Sequence, residues 1–568
     1  MKLSDPNSIL QSFLKVPIGW LIQVMLIGLC LLITFLMRTD AEVLTWQALW
    51  PSAAALIVVF SARSAFLGLL VGAVSGAMLL TEGSPVTTLQ YLFTEQFLPI
   101  FSSPWKISAL VFTLILGGFV ALLEAGGGLQ ALLKLCLGAS SRTSQKIRAS
   151  SKRLQVTTIG FGLLVFFDGL ANTLLIGRLM RRSADQSGVS RVKLAYLADT
   201  TGSAVACLAF ISTWIAFQLA MIREGYMAME MEVNAYALFF QSLSMNFYCW
   251  FALMLALISV FRNFNPGPMS GYEKQAHKRA FHTNDLVKEP AAFTIHKGAW
   301  LGAVVPILVL TFSVPVVSYC IGADSIWPLT LRKFATAYQV AESQVPNILV
   351  ASSILASIAA ALWIVLPMPG ANQARPKVLS IFLLGMGNLL RPLAILIAAW
   401  MLGTAISNLG AATFLSSQLN GHVAIIYMPA IIFLAGACIS FSTGTSWGTM
   451  AVLMPLSIPL IFAMTGEFSN VERDPFILAA IGAVFSGAVF GDHCSPFSDT
   501  TIIASIAAGV EPLEHFRTQL PFAALTGLVA VFAGFLPLGY GVPPLVCLLS
   551  GLAFLLLIAH FYPNKNAH

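Results

Sequence analysis

Gly491-Asp492-His493-Cys494-Ser495-Pro496-Phe497-Ser498-Asp499-Thr500-Thr501 is a polar stretch set between two apolar runs, residues 476–490 and 502–510. It puts two carboxylates, an imidazole and several hydroxyls at membrane depth. Pro496 removes a backbone donor and disturbs the turn before it. A broken backbone in lipid is tolerated only where it is buried in protein or lines a wet cavity. Ionisable groups at that depth are costly and mark an ion or substrate path. The stretch therefore predicts a broken spanning helix at the bilayer midplane, and a partner like it elsewhere in the chain.

The composition agrees. Of 568 residues, 57% are apolar and 10% charged, where a soluble chain carries about a quarter charged residues. Many apolar runs reach the roughly 20 residues that a spanning helix needs. The net charge of +7 lies in loops between those runs, so it reports membrane topology and points to no nucleic-acid partner. The eight cysteines stand singly, which gives neither a disulfide framework nor a structural zinc site. Lys2 and Lys15 flank the long run 16–37, which lacks a clear cleavage site and reads as a retained first helix.

Runs 48–61 and 65–80 are two further spans joined by a tight turn, and 87–103 is interfacial. Run 107–137 is a long span containing Glu124, which lines a path or packs helices. Arg142, Lys146, Arg148, Lys152 and Arg153 form a basic cytoplasmic loop. The apolar segment 154–177 is followed by Arg178, Arg181, Arg182, Arg191 and Lys193. Both of its ends ask for the same side, and 24 residues are too few for two spans. The pattern predicts a re-entrant hairpin whose tip holds Asp168 and Asn172. Run 194–222 then crosses outward, with an interruption expected at Asp199-Thr200-Thr201-Gly202-Ser203. Glu224, Glu230 and Glu232 follow on the outer side. Run 236–261 returns, and 263–297, with Lys274, Lys278, Arg279, Lys288 and Lys297, is a cytoplasmic linker.

The second half repeats this order. Runs 298–321 and 347–367 match the early spans, 377–391 is interfacial, and 392–419 pairs with 107–137. Residues 423–464 are the second hairpin, with Phe441-Ser442-Thr443-Gly444-Thr445 where Phe167-Asp168-Gly169 lay. Residues 476–510 match the broken span, because Asp499-Thr500-Thr501 repeats Asp199-Thr200-Thr201. The second hairpin is followed by Glu467, Glu472 and Asp474, so its flanks carry the opposite charge. The reading is an all-α polytopic membrane protein of about 12 spanning helices, built as two inverted repeats with re-entrant hairpins and broken helices, a transporter architecture. The expected units are a first helix (1–45), a first repeat (46–262), the linker (263–298), a second repeat (299–540) and a last helix with its tail (541–568).

Threonine hydroxyls beside Asp199 and Asp499 supply hard oxygen ligands that suit Na+, and broken helices add carbonyls. A carboxylate stripped of water there holds either a proton or a cation, and that competition is the physical basis of exchange. Asp199, Thr200, Asp499 and Thr500 are the candidate cation ligands, and Asp199, Asp499 and His493 the candidate proton-coupling groups, since histidine titrates near neutral pH. Each has a plainer reading: the aspartates tie down broken backbone, Asp168 and Asn172 cap the hairpin tip, and His493 is a structural hydrogen bonder. Asp492, His493 and Cys494 do not converge as a zinc site, and Ser495 has no nucleophile elbow; no cofactor and no enzyme activity are expected.

Residues 440–455, with S-F-S-T-G-T-S-W-G-T-M, and 491–505, with G-D-H-C-S-P-F-S-D-T-T, closely resemble the NhaC family of Na+/H+ antiporters. The resemblance runs from about residue 50 to 540. It implies the two-repeat fold with re-entrant hairpins, a homodimer, and Thr443, Thr445, Ser446, Asp492, Ser495, Asp499 and Thr500 as site residues. That family also contains a Na+-malate/H+-lactate exchanger and amino-acid carriers. The expectation is therefore Na+/H+ exchange across a bacterial inner membrane, with both termini cytoplasmic, and as the alternative Na+-coupled movement of a small organic anion or amino acid. No buried arginine near the motifs marks an anion site, which favours bare ion exchange.

Overall fold

The computed structural model describes residues 18–37, 46–137, 144–282, 299–365 and 377–562, apart from positions 63, 228, 467 and 497 and parts of 328–339 and 412–421. Lys2, Lys15, Arg142, Lys288, Lys297 and Glu467 lie outside the described residues. Those described form helices joined by short turns, as an apolar chain must when each backbone polar group has to be paired inside its own segment. Among the described residues nine helices are long and apolar enough to cross a membrane, or up to twelve if each bent pair is one span.

The chain opens with α1 (Ile18–Leu36), α2 (Trp50–Ala62) and α3 (Ala65–Leu80). Next, α4 (Pro85–Ser102) turns 118° away from α3. After α5 (Pro104–Ala125) and α6 (Gly128–Leu137) comes the first hairpin, α7 (Ser144–Leu164) and α8 (Gly169–Ser187). The broken helix α9 (Arg191–Leu208) and α10 (Thr213–Met227) is bent by 47°, and α11 (Ala235–Met245) and α12 (Phe247–Phe261) by 49°. Helix α13 (Met269–His282) lies in the linker.

The second half has α14 (Leu301–Gly322), α15 (Val345–Val365), α16 (Val378–Gly387) and α17 (Leu390–Asn408). Its hairpin is α18 (Met428–Thr443) and α19 (Ser446–Met464). Its broken helix is α20 (Asn470–Cys494) and α21 (Asp499–Ala508). Helices α22 (Pro512–Gly539) and α23 (Pro544–Phe561) close the chain.

The two halves interlock reciprocally. In each, the second hairpin arm packs on the first segment of its own broken helix, α8 on α9 and α19 on α20. The same arm also packs on the second segment of the opposite broken helix, α8 on α21 and α19 on α10. A Cβ on Gly177 of α8 would come within 2.5 Å of the Ala507 side chain on α21, so this crossing closes only with glycine there. Around this centre, α5 packs with α15 and α16, α14 with α15, and α3 with α2 and α17.

Four expectations are corrected. First, the interruption of the first broken helix falls at residues 209–212, and Asp199-Thr200-Thr201 lies inside α9. The Thr201 hydroxyl donates to the Leu197 carbonyl at 2.8 Å, so the polar cluster is satisfied without opening the helix. Second, the two D-T-T words are out of register: Asp199 precedes the end of α9 by nine residues, whereas Asp499 is the first residue of α21. Third, residues 144–153 of the expected basic loop are the first turns of α7, and the linker contains α13. Fourth, 377–391 is largely helix running into α17, and Val378–Asn408 is long and apolar enough to span.

Candidate ion-binding site

The centre of the molecule is assembled from α9, α12, α20 and α22. Asp199 is wholly buried in α9. Its Oδ2 accepts a hydrogen bond from Gln519 Nε2 at 2.8 Å and faces His515 Nε2 at 3.2 Å, both from α22. Its Oδ1 has no partner. Asp492 is also buried, two residues before the end of α20. Ser498 Oγ donates to its Oδ1 at 3.3 Å, Ser446 from the second hairpin faces it, and its Oδ2 has no hydrogen-bond partner. Asp199 and Asp492 are within electrostatic reach of one another. Buried polar oxygens are ordinarily paired; these two carboxylate oxygens are not, and neither is Gln519 Oε1 beside Asp199.

The break after α20 supplies more oxygens. Pro496 withholds a donor, and Ser498 caps α21 by accepting from Thr500 N at 3.2 Å. Thr500 and Thr501 turn their hydroxyls back onto the Asp492 carbonyl, at 3.3 and 2.9 Å. Ser495 is fully buried, and its N–H closes the last turn of α20 on Gly491 O at 2.7 Å. His493 Nδ1 is 3.0 Å from the Tyr248 hydroxyl of α12, while its Nε2 has no hydrogen-bond partner. A small cavity beside these groups is lined by Tyr196, Thr200, Tyr248, His493, Gln519 and Thr526 among others.

The remaining candidates sit elsewhere. Asp499 is exposed on the first turn of α21, within electrostatic reach of Asp492. Asp168 caps α8, with Oδ1 accepting from Ala171 N at 2.6 Å and Oδ2 from Thr213 Oγ1 at 3.0 Å. Asn172 donates to the Gly162 and Val165 carbonyls at 2.7 and 3.1 Å and leaves its own Oδ1 open. In the second hairpin Thr445 is the matching cap, accepting from Gly448 N at 3.2 Å. Gly444, at φ +67°, reverses the chain before it, and Thr443 accepts from Thr445 N at 3.4 Å. The structure thus gathers Thr200, Asp199, Ser446, Asp492, His493 and Thr500 at one centre. It sets Asp168, Asn172, Thr443 and Thr445 at the hairpin tips.

Tyr248, His515 and Gln519 were passed over in the sequence. Their signal is weak: single polar side chains inside apolar helices. Lys193 was counted there as a cytoplasmic loop charge, yet it is fully buried in the first turn of α9. Among the described residues no three His, Cys, Asp or Glu side chains cluster as for a tightly held metal.

The family model described as the Na+/H+ antiporter family matches residues 205–539. That span includes α20 and α22 and begins just after Asp199. An uncharacterized protein of Haemophilus influenzae is 28% identical over 496 residues, 86% of this chain and 90% of its own length. The malate-2H+/Na+-lactate antiporter of Bacillus subtilis is 37% identical over 116 residues, 19% of this chain and 23% of its own. Among solved structures, the Alcanivorax borkumensis YdaH transporter matches with a TM-score of 0.51 over 80% of this chain and 90% of that one. At 13% identity the likeness is one of fold.

Proposed function

The chain belongs to the Na+/H+ antiporter family, and from that premise we propose that this integral, multi-pass transporter exchanges Na+ for H+ by alternating access. The observation that carries the reading is the buried pair Asp199 and Asp492, each with one carboxylate oxygen unpartnered. Burying two anions within electrostatic reach of one another is strongly unfavourable unless a cation or proton compensates them. Na+ takes Asp199 Oδ1 and Asp492 Oδ2, helped by the open Gln519 Oε1 and the Thr200 and Thr500 hydroxyls. A proton arriving on either carboxylate weakens that cage and releases the ion. His515, 3.2 Å from Asp199 Oδ2, and His493, held by Tyr248, are the groups that pass the proton on, and Asp499 draws cations toward the break. Asp168, Asn172, Thr443, Thr445 and Ser495 shape the backbone around the cage.

The test is reconstitution of the full chain in liposomes with an internal pH dye. Addition of Na+ should move protons in the opposite direction, in wild type and not in Asp492→Asn. Failure of wild type to move protons with Na+, or full exchange in the variant, overturns the proposal. A second reading, Na+-coupled movement of a small carboxylate, is favoured by the similarity to the malate/lactate antiporter. Malate and lactate added to the same assay separate the two, since a bare Na+/H+ exchanger is indifferent to them.

We further propose that residues 46–262 and 299–540 are the two inverted repeats, supported by the reciprocal packing of hairpins on broken helices. The segments 1–45 and 541–568 flank them, and 263–298 links them. On this reading the chain lies in a bacterial inner membrane as a homodimer, with both termini cytoplasmic.

A further inference from the structure

A positive charge stands behind one wall of the cavity that borders the acid pair. Lys193 is fully buried, six residues before Asp199 on α9. Its ammonium donates to Ser259 Oγ at 2.8 Å and to Asn265 Oδ1 at 3.0 Å, both neutral acceptors. It also lies over two rings, 5.1 Å from the Tyr196 centroid and 5.0 Å from that of Phe522. Those rings stack on each other at 4.2 Å, joining α9 to α22. Both line the cavity that Thr200, His493 and Gln519 also line. Gln519 is the residue that bonds Asp199. The order through the protein is therefore acid pair, cavity, aromatic stack, ammonium. Beyond the ammonium lies the linker: Glu273 of α13 accepts from Ser190 N at 2.8 Å, at the start of α9.

Burying a lysine is costly; the hydrogen-bond partners of this one are neutral oxygens, and the carboxylate that acts on it electrostatically is Glu273 of α13, on the linker side. A fold that keeps a cation there gains from what the charge does. We propose that Tyr196, Phe522 and Lys193 form the linker-side gate of the cation path, the rings as its plug and Lys193 as an electrostatic barrier to cations passing the plug uncoupled. Lys193 is in this sense a specificity-determining residue: it touches neither ion, and it makes passage depend on the conformational change that moves the stack. The inference rests on the exchange reading above.

The barrier has a calculable size. Unit charges about 5 Å apart at an effective dielectric of about 20, with Glu273 offsetting part of the repulsion, slow passage by about ten- to a hundredfold. Full-length Lys193→Met, reconstituted and compared with wild type, should show radioactive Na+ entry raised by about that factor, with no matching proton flow. Lys193→Arg, which keeps the charge, should stay as tight as wild type. Phe522→Leu, which opens the plug and keeps the ammonium, should leak less than Lys193→Met, and it tests the gate even where the lysine variant does not fold. A Lys193→Met protein that exchanges normally without leak overturns the gate and leaves the exchange reading intact. So does Lys193→Arg leaking like Lys193→Met, or Phe522→Leu as tight as wild type. Absence of Na+/H+ exchange in wild type is the separate result that removes the exchange reading.

Discussion

The two broken helices solve one problem in different ways. In the first, the acid sits mid-helix, nine residues before its end, and the break at 209–212 carries one hydroxyl, Ser212, and no acid. Ser212 Oγ there accepts from Trp214 N and Ile215 N, both at 3.2 Å, which starts α10. In the second, both acids stand at the break, Asp492 buried at the end of α20 and Asp499 exposed at the start of α21. The shared D-T-T wording therefore marks positions that are not equivalent. The two acids buried in the interior within electrostatic reach of one another are Asp199 and Asp492, one from each half. The lesson is that near-symmetric packing does not demand symmetric chemistry: the buried charge has to converge, and each half supplies it from whichever turn reaches the centre.

The comparison breaks most visibly at those two acids. Asp199→Asn and Asp492→Asn should each lower Na+-driven proton movement by at least about a hundredfold, as loss of a buried charge that one state must compensate implies. Asp499→Asn should lower it only a few-fold, because an exposed carboxylate is screened by water and salt. All three can be read in one proteoliposome assay at fixed ionic strength. Equal loss in Asp499→Asn and Asp492→Asn would return the site to the D-T-T register and sink the pairing argued here.

Gln519 gives an intermediate effect. It holds Asp199 Oδ2 at 2.8 Å and offers Oε1 toward the cage. Gln519→Leu removes both, and a hydrogen bond to a charged group contributes about 1.5–3 kcal/mol. Apparent Na+ affinity should fall by roughly tenfold or more, with the maximal rate less affected. An unchanged half-saturating Na+ concentration would assign Gln519 to packing alone.

How much of this could be read beforehand depends on what each residue does to the backbone. The Gly491–Thr501 stretch was legible because Pro496 and flanking charges disturb an apolar run wherever they fall. The first hairpin was legible for a related reason, because basic residues on both sides of 24 apolar ones leave few topologies, and the second followed from the repeated order of features. Asp199-Thr200-Thr201 misled, because threonine hydroxyls bond back to carbonyls one turn earlier and hide inside a helix. Lys193 was misplaced because a basic residue six positions from Asp199 has the same one-letter pattern whether it faces solvent or the Tyr196–Phe522 stack. His515 and Gln519 lie more than 300 residues from Asp199 in sequence, and no local period connects them.

The smallest expected difference lies between the hairpin tips, and it separates capping from ion binding. Asp168 and Thr445 occupy equivalent positions, each accepting from the backbone N–H three residues on. Losing such a cap costs about 1 kcal/mol. Asp168→Ala should lower thermal stability somewhat more than Thr445→Ala, since it also frees the Thr213 hydroxyl, which now donates to Asp168 Oδ2 at 3.0 Å. Asp168→Ser keeps a capping oxygen and discards the charge. If the tip acid acts only on backbone, that variant should exchange Na+ for H+ within about twofold of wild type, the spread expected of a sub-kcal/mol change in a cap. A collapse of exchange in Asp168→Ser, with the protein still folded, would instead make Asp168 a third acid of the ion path. The first half would then carry its charge at two depths and the second half at one break.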